Sequence, residues 1–174
     1  MSNENIKELI ENELSALVGK RIRQFRRAAL MLGVDIGEDV EFKYTVGAKR
    51  GEVTTRSKYV LHIHAPWRLF KDCDICLSQS AMFTNMNGFR WCEDNEETID
   101  SFPFARISRD INELFEIETI NITKIEANEQ GDLKLYMEND YCLEIFVDSI
   151  GDTESWRFFE TIGDRSLVIF DDGD

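Results

Sequence analysis

Apolar residues in the first twenty positions recur every three or four residues: Ile6, Leu9, Ile10, Leu14 and Leu17, with Glu8, Glu11, Asn12 and Ser15 outside the stripe. This spacing predicts an amphipathic helix over residues 3–17, stopped by Gly19. The next stretch, KRIRQFRRAALML, reads either way, and alternation around Ile22 favours a strand. From residue 40 short apolar runs broken by glycine and charge take over: VEFKYTV, a turn-like GAKRGE, then KYVLHIHA, RLF and DICLS. Tyr59, Leu61, Ile63 and Ala65 fall on one face of a strand, with Val60, His62 and His64 on the other.

Residues 84–100 are polar and acidic, with Asn87-Gly88 as a turn signal, and predict a loop of unusual length. A second helix is expected near residues 101–116, where Ile107, Ile111, Leu114 and Phe115 share a face and Ser108 and Arg109 point away. TINITKIEA, DLKLYME, YCLEIFVD and SLVIFDD then read as strands, reversed at Gly131-Asp132 and Asn139-Asp140. The expected fold is α+β, mostly antiparallel, with an N-terminal helix and the second helix near 101–116. With 174 residues, two prolines and no linker-like tract, residues 1–174 are expected to form a single domain.

Charge sharpens the picture. Residues 1–90 hold 14 Lys/Arg against 11 Asp/Glu, a balance of +3, while residues 91–174 hold 6 against 23, a balance of −17. A carboxylate-rich exterior repels nucleic acid and anionic lipid and steers basic partners toward it, although it also serves plain solubility. Charges at Glu4, Lys7, Glu8, Glu11 and Glu13 interrupt any secretory h-region, so a cytoplasmic protein with reduced cysteines is expected.

One stretch offers concentrated chemistry: LHIHAPWRLFKDCDIC, with His62 and His64 two apart and Cys73 and Cys76 in a C-x-x-C spacing. Two histidines on one strand face lie roughly 7 Å apart at the backbone, which admits a His2Cys2 zinc site or a small metal-dependent enzyme as the alternative reading. Against it, zinc knuckles turn tightly around glycine, whereas Cys73 and Cys76 run into an apolar strand and would face opposite ways. The favoured expectation is no cofactor and a framework role. No hydrolase, Walker or dinucleotide motif is present, and the acidic runs lack calcium-loop spacing. A short near-repeat, Trp67-Arg68 and Trp156-Arg157, sets an arginine beside each tryptophan, for stacking or for pairing with carboxylates.

The segments LH with PWR (Leu61-His62, Pro66-Trp67-Arg68), GDL (Gly131-Asp132-Leu133), LEIF (Leu143-Glu144-Ile145-Phe146) and WRFF (Trp156-Arg157-Phe158-Phe159) occur in order over most of the chain. In this the chain resembles a widespread family of small uncharacterised bacterial proteins built as a starting helix, LHxxxPWR, GDL, LEIF and WRFF. The family pattern often carries a glutamine at the position of His64 and no pair like Cys73 and Cys76, so the resemblance implies a common role that does not run through a metal. In size, acidity and strand content such proteins look similar to immunity proteins that neutralise bacterial toxins.

The functional expectation is an acidic binding module for a basic protein partner, an immunity protein against a toxin such as a nuclease. The partner-binding candidates are Glu93, Asp94, Glu96 and Glu97 in the long loop, with Asp148 and Asp152 before the WRFF segment. His62, Trp67, Arg68, Trp156 and Arg157 are the candidate structural motif, and no catalytic group is expected.

Overall fold

The computed structural model describes residues 5–84, 103–148 and 153–170. Helix α1 (Ile6–Leu14) starts where the Asn5 side chain accepts hydrogen bonds from the Lys7 and Glu8 amides, and it buries Ile10 and Leu14. A single 3-10 turn (Ser15–Leu17) buries Leu17, and Gly19, at φ +78°, redirects the chain. Among the described residues ten strands follow: β1 (Ile22–Ala28), β2 (Met31–Lys43), β3 (Val53–Ile63), β4 (Trp67–Lys71), β5 (Asp74–Ser78), β6 (Ile122–Ala127), β7 (Leu133–Met137), β8 (Tyr141–Ile145), β9 (Glu154–Glu160) and β10 (Ser166–Phe170). Between β5 and β6 lie a short helix α2 (Ser80–Phe83) and the long α3 (Pro103–Glu118).

Two five-stranded antiparallel sheets result, ordered β1-β2-β3-β9-β10 and β5-β4-β8-β7-β6. The chain crosses between them at His64–Pro66, where the His64 and Ala65 amides both donate to the Ser155 carbonyl and the Phe146 amide donates to that of Pro66. Helix α1 touches β6 of one sheet and β10 of the other, while α3 touches β1 and β5, so each helix bridges the two sheets. Residues from both sheets and both helices share one continuous core, with Trp156, Phe25, Phe115 and Phe158 its largest fully buried side chains. Removing a side chain of that size from water contributes about 1.5–3 kcal/mol.

The α+β architecture follows the sequence pattern, with three local differences. Helix α3 begins at Pro103, a residue suited to a first helical turn, and runs to Glu118. Its buried stripe is Phe104, Ser108, Ile111 and Phe115. Ser108 therefore faces inward, and its hydroxyl donates to the Ala105 carbonyl. The segment KRIRQFRRAALML holds β1, a reversal at Ala29-Leu30 with Ala29 at φ 52°, and the start of β2. Finally, a two-residue turn at Asp72-Cys73 separates β4 from β5, so Cys73 sits at a hairpin tip and not within an apolar strand.

Strands β2 and β3 outrun their neighbours. Strand β1 pairs with β2 only over Met31–Ile36, and β9 pairs with β3 only over Tyr59–Ile63. Beyond Asp39 and Ser57 the two continue as a ribbon, paired through Val40↔Arg56 to Lys43↔Val53, with no further strand beside it among the described residues and no buried residue in it.

Candidate functional site

The outer face of the first sheet is built from two rows of cross-strand neighbours. One row runs Arg26, Gly33, His62, Arg157; the next runs Gln24, Asp35, Val60, Phe159. Gly33 is the enabling residue, since a Cβ there would lie 2.8 Å from the Arg26 guanidinium carbon. With only hydrogen in that place, Arg26 lies across β2. Its Nε donates to both Asp35 carboxylate oxygens, at 3.1 and 3.0 Å, and its Nη2 comes within 3.4 Å of His62 Nε2.

A guanidinium only donates, so Nε2 of His62 accepts and the ring proton belongs on Nδ1. Burial, with the nearby charges of Arg26 and Arg157, pushes the His62 pKa below its ordinary value, and the ring stays neutral at pH 7. Its ring meets that of Phe159 edge-on, with centroids 5.0 Å apart.

This face floors a groove of about 840 Å³. Asn112, Glu113 and Glu116 of α3 line one side, and Asp39, Thr55, Arg56 and Ser57 from the base of the ribbon line another. Its arginines are already engaged: Arg26 with Asp35, Arg23 with Asp39, and Arg56 with the Tyr44 hydroxyl. Glu113 has no cationic partner among the described residues. Neutral His62, engaged with Arg26, is poorly placed to take a proton from a substrate.

Asn112 also closes the free edge of β1. Its Oδ1 accepts from the Phe25 amide at 2.8 Å and its Nδ2 donates to the Phe25 carbonyl at 2.9 Å, as a paired strand residue would.

The outer face of the second sheet gathers the remaining sequence motifs. Arg68 and Glu144 are cross-strand neighbours, as are Glu144 and Lys134. Arg68 Nε donates to Glu144 at 2.9 Å, Lys134 reaches the other oxygen at 2.7 Å, and the Arg68 guanidinium lies 4.8 Å from the ring centres of both Phe70 and Phe146. Burial pushes the Glu144 carboxyl upward, but the hydrogen bonds from Lys134 and Arg68 outweigh it and hold the pKa below the usual value. PWR and LEIF thus meet in one stacked ion pair. WRFF and GDL meet as well, because buried Trp156 donates its Nε1–H to the Gly131 carbonyl at 2.9 Å, while Asp132 accepts from the Val147 amide at 2.7 Å. Trp67 is buried edge-on against Phe104, and Arg157 pairs with Glu154 of its own strand.

Of the partner-binding candidates, Asp148 is exposed just after β8, whereas Glu93, Asp94, Glu96, Glu97 and Asp152 lie outside the described residues. The four candidate metal ligands are spread over both sheets: His62 on β3, His64 at the crossover 3.9 Å from Glu154, Cys73 in the β4–β5 turn and Cys76 on β5. Among the described residues no group of three or more His, Cys, Asp or Glu side chains is placed to hold a metal ion. Burial raises the Cys142 thiol to about 11 and pushes that of Cys76 up too, away from reactive thiolates. No described helix is long and apolar enough to cross a membrane.

Sequence reasoning missed the groove, whose walls come from β1, β2, β3, β9 and α3. The available signals were Gly33 and Gly37 inside what proves to be a long strand, with Arg23 and Arg26 in the preceding one. Compared with known proteins, the chain matches no family model, no curated protein and no solved structure.

Proposed function

We propose that this chain is a binding protein that engages a basic partner protein through its carboxylate-rich exterior, as an immunity protein covers the cationic active site of a toxin such as a nuclease. The observation that supports this reading is how the charges are disposed. Among the described residues, Lys20, Arg21, Arg23, Arg26, Lys58, Arg68, Arg109, Lys124, Lys134 and Arg157 are each paired with a carboxylate of the chain itself. Those ten cations are neutralised within the chain, whereas exposed Glu8, Glu113 and Asp148 have no cationic partner among the described residues, and the chain as a whole carries a net charge of −14. A field of that sign accelerates encounter with a cationic surface and disfavours nucleic acid. The resemblance to small bacterial proteins with PWR, LEIF and WRFF segments points the same way, since in this chain those segments converge on packing and ion pairing.

The test is kinetic. Association with a basic nuclease toxin domain is measured for the wild type and for variants reversing Glu93, Asp94, Glu96 and Glu97, or Asp148 and Asp152. The reading expects wild-type association to slow as salt rises from about 20 to about 200 mM, and the reversals to slow it at low salt. Equal rates for all forms at low salt would sink it.

A further inference from the structure

The ribbon formed by the ends of β2 and β3 contrasts with the rest of the molecule. Residues 40–56 carry Lys43, Lys49, Arg50 and Arg56 against Glu41 and Glu52, a balance of +2. Taking that from the chain's −14 leaves −16 on everything else. The ribbon also displays apolar and aromatic surface: Val46 is 77% exposed and Val53 59%. Arg56 stacks over Phe42 and Tyr44, whose rings meet edge-on. Lys43 and Arg50 have no partner among the described residues.

Two-stranded ribbons are marginal in water without a third strand or a packed face. Among the described residues this one has neither, so a covering surface is what its composition asks for. The complementary surface is the groove beside it, where Arg23 and Arg26 are held by Asp39 and Asp35 and the α3 side carries Glu113, unpaired among the described residues, and Glu116, with one oxygen taken by Arg21.

We infer that the ribbon docks in the groove of a second copy of this chain. The ribbon's base forms part of its own groove, so reciprocal insertion about a two-fold axis buries both ribbons with the same contacts on each side. The size suits a stable dimer. A standard interface uses about 20–30 residues per partner, and the ribbon with the groove residues of β1, β9 and α3 falls within that range. Arg56 and the Phe42 and Tyr44 rings supply the aromatic and guanidinium surface that such interfaces favour. Lys43 and Arg50 of one copy then face Glu113 and Glu116 of the other, where pairing offsets the repulsion between two anionic bodies.

The experiment is sedimentation equilibrium of the full chain at one fixed physiological salt concentration, alongside three variants checked for native circular dichroism. Wild type should approach twice 20.2 kDa within concentrations up to about 200 µM. Lys43→Glu with Arg50→Glu, which leaves the Arg56–Phe42–Tyr44 stack intact, should weaken self-association about tenfold or more, and Glu113→Lys should do the same. Combining all three changes restores opposite charges and should recover the dimer. A wild type that stays monomeric throughout, a dimer indifferent to both reversals, or reversals that weaken it without rescue in the combined variant each overturn the inference. None of these results bears on whether the acidic exterior binds a basic toxin.

Discussion

Replacing Asn112 with alanine should destabilise the fold by removing the side chain that completes the outer edge of β1. Two hydrogen bonds disappear, from the Phe25 amide to Oδ1 and from Nδ2 to the Phe25 carbonyl. Each contributes about 0.5–1.5 kcal/mol net, for a gross loss of about 1–3 kcal/mol. The groove admits water, which can satisfy the freed backbone groups, so the loss should not exceed that range. Alanine is also the better helix former inside α3, which returns about 0.6 kcal/mol.

The net expectation is a loss of about 1–2 kcal/mol, seen as a lower urea midpoint at unchanged slope. In a chain of this length it corresponds to a thermal midpoint lower by roughly 3–6 °C. Asn112→Asp sharpens the assay, because aspartate still accepts from the Phe25 amide but offers nothing to the carbonyl and sets a carboxylate oxygen against it. It should be at least as unstable as the alanine variant. An alanine variant no less stable than wild type, or an aspartate variant equal to wild type, refutes the idea that this side chain stands in for a neighbouring strand.

Other outcomes follow from the same geometry. Gly33→Ala should displace Arg26 from Asp35 and His62, so NMR titration of the variant should move the His62 midpoint upward, while an unchanged midpoint denies that Arg26 lies across the glycine. Because the folded pKa of His62 is depressed, the unfolded chain binds its proton first. The stability from keeping that ring neutral is fully present above about pH 6.5 and declines as pH falls below it; His62→Gln should flatten that part of the stability profile, and an identical pH dependence would contradict this. Ser155 is 2% exposed and its hydroxyl has no hydrogen-bond partner among the described residues, so Ser155→Ala should be neutral or stabilising by up to about 1 kcal/mol in urea melts. Alkylation at pH 8 followed by peptide mass mapping should mark exposed Cys73 well before Cys142, whose thiol is raised to about 11.

Helix α1 and the strands rich in Ile, Val, Leu and aromatics were legible because each carries its own periodicity over five or more residues. Strand β2 was legible only from Val40 onward, although it begins at Met31. Gly33, Asp35 and Gly37 interrupt its apolar pattern for reasons that lie on other strands: Gly33 makes way for Arg26, Asp35 receives that guanidinium, and Gly37 (φ +86°) sits where the register with β3 slips. Ser108 was misplaced because a small polar residue can turn inward once its hydroxyl finds a carbonyl on its own helix. The arginines of the two Trp-Arg pairs were readable as paired cations, but their partners were not, since Arg68 finds Glu144 across 76 residues and Arg157 finds Glu154 three residues away. The groove is tertiary throughout, and no local window contains it.

Strand β9 lies between β3 and β10, so the first sheet holds just β1, β2 and β3 until residues near 160 have left the ribosome. Until then the edge of β3 from Tyr59 to Ile63 presents open amides and carbonyls to any passing extended segment. Pairing of this sheet is therefore completed late in chain order, and a nascent chain stalled before Glu154 should be a preferred client of chaperones.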